Sequence, residues 1–287
     1  MTDLDEQPTE AAATASDAPR RPPRVIAVAN QKGGVGKTTT AINLGTALTA
    51  VGNRVLIIDT DPQGNASTGL GIPPQDRTVT AYDLIVGDAS LDDAVKPTEI
   101  PGLYIVPSGV DLSGVELELI QEDHREGFLK RALNGAASAY DYILIDCPPA
   151  LGLLTVNSLV AAQAVLVPLQ CEFFALEGIA QLTQTIERVR QAYNPALELQ
   201  GIVLTMFDQR NNLSGAVADD VRGHFGDKVY NTIIPRNVRI SEAPSHGRPV
   251  LIYDTACAGS RAYLSLASEV MDRERKFRDQ QTSARNV

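Results

Sequence analysis

The chain has 287 residues, 44% hydrophobic and 21% charged, which suits a soluble globular protein with a large core. Its net charge of −10 argues against nucleic-acid binding through the global field, and the part beyond the first 20 residues, which carry five acids against Arg20, still holds −6. Cys147, Cys171 and Cys257 lie far apart with no CxxC spacing, against a disulfide frame or zinc site; without a signal-peptide core or an 18-residue apolar run, the chain is expected to be cytoplasmic.

Residues 1–22, rich in Ala, Thr, Pro and acids, have no apolar periodicity and read as a disordered acidic tail. One domain is expected over 23–278, with 279–287 frayed. Strands are predicted at 24–29, 54–59, 103–108, 140–146, 164–170, 201–207 and 229–234. Most are continuous apolar runs, as expected of strands covered on both faces. Helices are predicted at 38–50, at 175–193 and from about 260 to Phe277. In the second, Leu176, Ile179, Leu182, Ile186 and Val189 form an apolar stripe read as core. The alternation predicts an α/β fold, doubly wound, whose mainly parallel sheet of about seven or eight strands binds ligands at the strands' C-terminal ends.

Between the first strand and helix stands "NQKGGVGKTTT", residues 30–40, a phosphate-binding loop that departs from G-x-x-x-x-G-K-[ST]. Gln31 occupies the first glycine position, and Lys32 beside it is a second lysine that the pattern does not require. Gly33, Gly34 and Gly36, with Val35 between them, would let backbone N–H groups approach the phosphates at a helix N-terminus. Lys37 would reach the β- and γ-phosphates, the Thr38 hydroxyl would ligate Mg2+, and Thr39 would donate to the α-phosphate. Lys32 is either a solvated surface lysine or a cation supplied in trans to another copy's triphosphate, in the manner of an arginine finger.

Two further segments carry carboxylates. Asp59 and Asp61 close the second strand, and a period of two would turn both to one side, where they suit Mg2+ and an attacking water; a turn pair ahead of Pro62 is the alternative. Asp146 ends the hydrophobic run 140–146, the Walker B arrangement that holds Mg2+. Cys147 reads as a filler, and His124, His224 and His246 have no ligand spacing.

"KGGVGKTT" resembles the deviant Walker A motif of the ParA/MinD ATPase superfamily of P-loop NTPases, and "NQKGGVGKTTTAINLG" resembles its ParA (Soj-like) branch over about residues 24–270. The resemblance implies that Lys32 contacts the nucleotide of the partner in an ATP-sandwich homodimer. It implies that Asp61 positions and activates the water, that Asp59 belongs to the Mg2+ water shell, and that 146–157 is a second switch. Pro235 and Asn237 would line the adenine pocket, with Met206 as an apolar wall. Arg210 and Arg239 match positions for non-specific binding of double-stranded DNA; ordinary surface ion pairs with Asp208 and Glu242 are the alternative. The implied function is an ATP-dependent DNA-segregation ATPase, nucleoid-associated and discharged by a ParB-like centromere-binding protein. A MinD-like regulator would need a C-terminal amphipathic helix, but only "RDQQTSARNV" follows Phe277, so no membrane partner is expected. A P-loop metabolic enzyme using ATP is the third reading.

Overall fold

The computed structural model describes residues 22–134 and 136–285. The acidic tail thus lies outside the described residues, apart from Pro22. Eight strands form one sheet in the order β3-β4-β2-β5-β1-β6-β7-β8. They are β1 Arg24–Val28, β2 Val55–Asp59, β3 Lys96–Pro97, β4 Leu103–Val106, β5 Tyr142–Asp146, β6 Ala164–Gln170, β7 Glu198–Phe207 and β8 Val229–Pro235. Every pairing is parallel except β3 with β4.

The continuous apolar runs have a direct cause. Alternate residues of β1 enter different cores: Val25 and Ala27 face one, Ile26 and Val28 the other. Helix α1 (Lys37–Ala50) delivers Ala41, Leu44 and Leu48 to the second core, together with Tyr263 and Leu266 of the terminal helix. The first core takes Ile179, Leu182, Ile186 and Val189 from the helix Ala175–Ala192. Leu176 departs from the predicted stripe, with 37% of its surface exposed, while its neighbour Ala175 enters the core in its place.

Two other elements depart from the sequence reading. The two-residue β3 is too short to give a periodic signal and pairs antiparallel at the sheet edge. The terminal helix runs Ala258–Arg285, past the Phe277 at which the sequence reading ends it.

Winding reverses at β1. The chain moves from β1 out to β2 and β4 on one side, returns through β5, and then builds β6, β7 and β8 on the other. The crevice above the C-terminal end of β1 is therefore where a ligand is accommodated in such a sheet. The loop 29–36 leaves β1 at that point.

Candidate active site

The loop is held from both sides. Asn30 donates through Nδ2 to the Pro168 carbonyl at 2.8 Å and accepts from the Lys32 N–H through Oδ1 at 3.0 Å. The Val35 side chain is buried, and its carbonyl accepts from Thr205 Oγ1 at 2.8 Å, which ties the loop to β7. Gly34 and Gly36 have φ of 75° and 90°, a left-handed backbone that favours glycine, and Gly36 precedes the first turn of α1. Lys37 curls back over this turn, buried, and its Nζ donates to the Lys32 carbonyl at 3.1 Å. Burial pulls the Lys37 pKa below its ordinary value, while Asp146, Cys147 and Asp61 oppose the shift.

A cavity of about 470 Å³ opens over the loop, lined among others by Gly33, Gly34, Lys37, Thr38, Thr39 and Asp61. A second space of about 300 Å³ is lined by Met206, Pro235, Asn237 and Gln170. Gly36, Thr39 and Met206 border both, so the two spaces adjoin across the start of α1. Met206 is placed there by a left-handed backbone, φ 51°, at an irregularity in the β7–β8 register.

The three carboxylates converge, though not as period-two geometry predicts. Strand β2 ends at Asp59, so Asp61 belongs to the following turn and the alternation stops before it. Asp61 lines the cavity, whereas Asp59 Oδ2 is taken by Ser67, accepting from its N–H at 2.9 Å and its hydroxyl at 2.7 Å. Asp59 is in register with Asp146 across the β2–β5 pair, and both are fully buried. Neither oxygen of Asp146 has a hydrogen-bond partner. Burial drives the Asp146 carboxyl well above the ordinary range and Asp59 adds like-charge repulsion; the nearby Thr38 hydroxyl, outside hydrogen-bond geometry, works the other way.

Among the described residues, no cluster of three or more His, Cys, Asp or Glu side chains could hold a metal by itself. The donor set nevertheless fits a divalent cation completed by phosphate oxygens: an uncompensated buried carboxylate at Asp146 beside the Thr38 hydroxyl.

Comparison with known proteins agrees with this architecture. A sequence family described as an AAA domain matches residues 23–199. The chain is 64% identical over 256 residues to the chromosome partitioning protein ParA of Caulobacter vibrioides, spanning 88% of this chain and 96% of that one. It is 51% identical to the sporulation initiation inhibitor protein Soj of Bacillus subtilis, over 86% of this chain and 98% of the relative. The chain belongs to the ParA family. Among solved structures, it superposes on the cell division ATPase MinD of Pyrococcus furiosus with a TM-score of 0.72 at 28% identity, over 87% of this chain and 98% of that one. It superposes on the cobyrinic acid a,c-diamide synthase of Mycobacterium smegmatis with bound ADP and magnesium at a TM-score of 0.75 and 40% identity, over 86% and 93% of the two chains.

In this ParA-family chain the second lysine of the loop is not among the residues that line either cavity. Lys32 is exposed and pairs with Glu172, just beyond the end of β6. Sequence reasoning missed Glu172, whose only signal is an acid next to the exposed Phe173 and Phe174. It also missed Asn43, which accepts from the Val250 N–H at 2.8 Å and fixes the cavity wall opposite the loop. Arg210 has 88% of its side chain exposed and binds Asp208 through two bonds of 2.9 and 2.8 Å. Arg239 donates to Glu242 at 2.9 Å and lies 3.4 Å from Asp254. Asn237 caps the short helix Val238–Glu242, accepting from the Arg239 N–H at 2.9 Å. The three histidines are exposed. Cys147 is buried, its thiol pushed up to about 12, in keeping with a filler.

The buried carboxylates fix a pH dependence. Asp59 is raised to about 6, chiefly by burial, and Asp146 is raised further from the ordinary range. Both therefore hold protons in the folded state that the unfolded chain has already released, so stability falls as pH rises from about 4. Without nucleotide or divalent cation, Asp146→Asn is expected to stabilise the fold near neutral pH by about 1–3 kcal/mol, since the amide is as polar but has no charge for the site to suppress, a difference of about 1.4 kcal/mol for each pH unit by which the carboxyl is raised. Urea denaturation of both proteins in EDTA checks this. The gain should be largest at about pH 8 and shrink toward about pH 3, where the wild-type carboxyl is protonated in both states.

Proposed function

We propose that this chain is a Mg2+-dependent ATPase that dimerises on ATP, binds DNA without sequence preference, and is released when a ParB-like partner stimulates its slow hydrolysis to ADP. It would act in the cytoplasm, on the nucleoid. The observation that carries the reading is the loop with two lysines aimed in different directions: Lys37 folds onto the phosphate cradle, and Lys32 stands outside it. The ADP and magnesium named for the 40%-identical synthase support the choice of ligands.

In this reading the N–H groups of 33–38 and Lys37 bind the phosphates, and the space at Met206, Pro235 and Asn237 takes the adenine. Asp61 orients the attacking water from the cavity wall. Thr38 and Asp146 would hold Mg2+, with Asp59 behind them; the cation would neutralise the charge that develops on the phosphates. A partner's Lys32 would add a cation to the same charge. The ion pair with Glu172 is half exposed and worth at most about 1 kcal/mol, so it does not prevent Lys32 from moving to a triphosphate.

Lys32→Ala is therefore expected to bind ATP as a monomer and to form no stable dimer. Light scattering with ATP and Mg2+, in the Asp61→Ala background to suppress turnover, checks this; a normal dimer would make Lys32 an ordinary surface lysine. A P-loop synthetase is the second reading, favoured by the likeness to the M. smegmatis synthase. ATP turnover stimulated by DNA and a centromere-binding protein, with no small-molecule acceptor present, excludes it.

A further inference from the structure

The turn that carries Asp61 is braced from behind. Segment 60–72 contains Asp61, a left-handed Gly64 with φ 61°, the one-turn helix Asn65–Gly69 and a left-handed Gly71 with φ 78°. Its front lines the cavity through Asp61, Gln63, Asn65 and Thr68. Its back faces Arg77, whose guanidinium makes four hydrogen bonds. Nε and Nη2 donate to the Ile72 carbonyl at 3.0 and 2.9 Å, Nη2 to Thr68 Oγ1 at 2.8 Å, and Nη1 to the Ser108 carbonyl at 3.1 Å.

Ser108 closes the circuit. Its N–H donates to Ser67 Oγ at 3.0 Å, and that hydroxyl donates to Asp59 at 2.7 Å. Arg77 thus joins the segment to the exit of β4, while Ser67 joins the same segment to the end of β2. Contact with the turn itself is close: a Cβ on Gly64 would strike Arg77 Nη1, and the Gly64 N–H donates to the Asp61 carbonyl at 2.9 Å. No hydrogen bond from Arg77 reaches the loop 29–36 or Lys37; apart from its charge, which acts on Asp59 and which a lysine would keep, its influence on the site runs through the segment.

We propose that Arg77 is a positioning residue for hydrolysis: its planar fork clamps segment 60–72 to the sheet edge and so sets where Asp61 stands in the cavity. This rests on the ATPase reading and deepens it. Lysine keeps the charge but lacks the fork that reaches three acceptors at once, so Arg77→Lys is not conservative here. Displacing a catalytic group by an ångström or less costs one to two orders of magnitude in rate while binding persists.

The test is a cycle of wild type, Arg77→Lys, Asp61→Ala and the double variant, read by steady-state ATP hydrolysis, nucleotide affinity and thermal midpoint. Arg77→Lys should lower kcat about tenfold or more, leaving ATP affinity within about twofold, because the phosphate cradle is untouched. In the Asp61→Ala background it should have little further effect, since Arg77 acts through Asp61. A wild-type kcat in Arg77→Lys, or losses that multiply in the double variant, would overturn the assignment. An inactive wild type, or an Asp61→Ala variant with full turnover, would instead overturn the ATPase reading beneath it. If Arg77→Lys loses its circular-dichroism signal, Arg77→Gln, whose amide can reach only part of the fork's three acceptors, takes its place in the same cycle under the same criteria.

Discussion

Asp61→Ala is expected to bind ATP and to dimerise while losing turnover by about 10²-fold or more, the range for removal of a general base. Asp61 borders the cavity at 8% exposure, and Oδ1 accepts from the Gln63 N–H at 3.0 Å, which fixes the carboxylate within its own turn. Substitution leaves the phosphate cradle intact, because the loop hangs on Asn30, Thr205 and Lys37 instead. It also removes one of three carboxylates acting on the same small volume, so a triphosphate meets less repulsion and affinity should hold or rise. Phosphate release measured beside a nucleotide titration separates the two effects. Retained turnover would remove Asp61 from the role. Lys37→Ala should behave oppositely and lose nucleotide binding itself, since its ammonium is the cation folded over the loop, where it donates to the Lys32 carbonyl.

Much of this site was legible because its parts are local. The strand, the glycines, Lys37 and Thr38 lie within 17 residues, 24–40, and their spacing alone places them. Asp146 was legible for the same reason, as the polar end of an apolar strand. What the sequence hid was how distant segments meet. Period-two reasoning placed Asp59 and Asp61 on one side by strand alternation, yet the strand ends at Asp59, whose Oδ2 is engaged by Ser67, and Asp61 stands in the following turn. Glu172 beside Lys32, Asn43 beneath Val250 and Arg77 behind Thr68 are contacts across 140, 207 and 9 residues of chain. No spacing rule marks such pairs. The fold followed from apolar runs because burial on both faces is what a central parallel strand requires, and it was missed where β3 has two residues.

DNA binding is where charge and family membership oppose each other, and there the expected result is a steep dependence on salt and on ATP. The chain carries −10, so long-range attraction to a polyanion is absent and binding must come from cations gathered on one face. Arg210 and Arg239 are both exposed, yet each is already engaged by carboxylates, Arg210 by Asp208 and Arg239 by Glu242 and Asp254. A phosphate must displace those partners, which cost little to break because the pairs are solvated. Two contacts from one subunit are weak; a dimer that sets four on one duplex gains by avidity without any new kind of contact. With about four phosphates neutralised, affinity should fall about 10²-fold between roughly 50 and 200 mM salt, and only about tenfold for Arg210→Ala or Arg239→Ala, each of which removes two contacts per dimer. Both variants should still bind ATP and dimerise, as neither arginine lines the phosphate cavity. Asp208→Asn, which frees Arg210, should tighten binding at low salt. Fluorescence anisotropy on duplexes of unrelated sequence, titrated with salt in ATP and in ADP, measures each of these. Wild-type affinity retained by both arginine variants across the titration, or equal binding in ADP, would show that ATP does not control DNA binding by doubling the cations brought to one duplex.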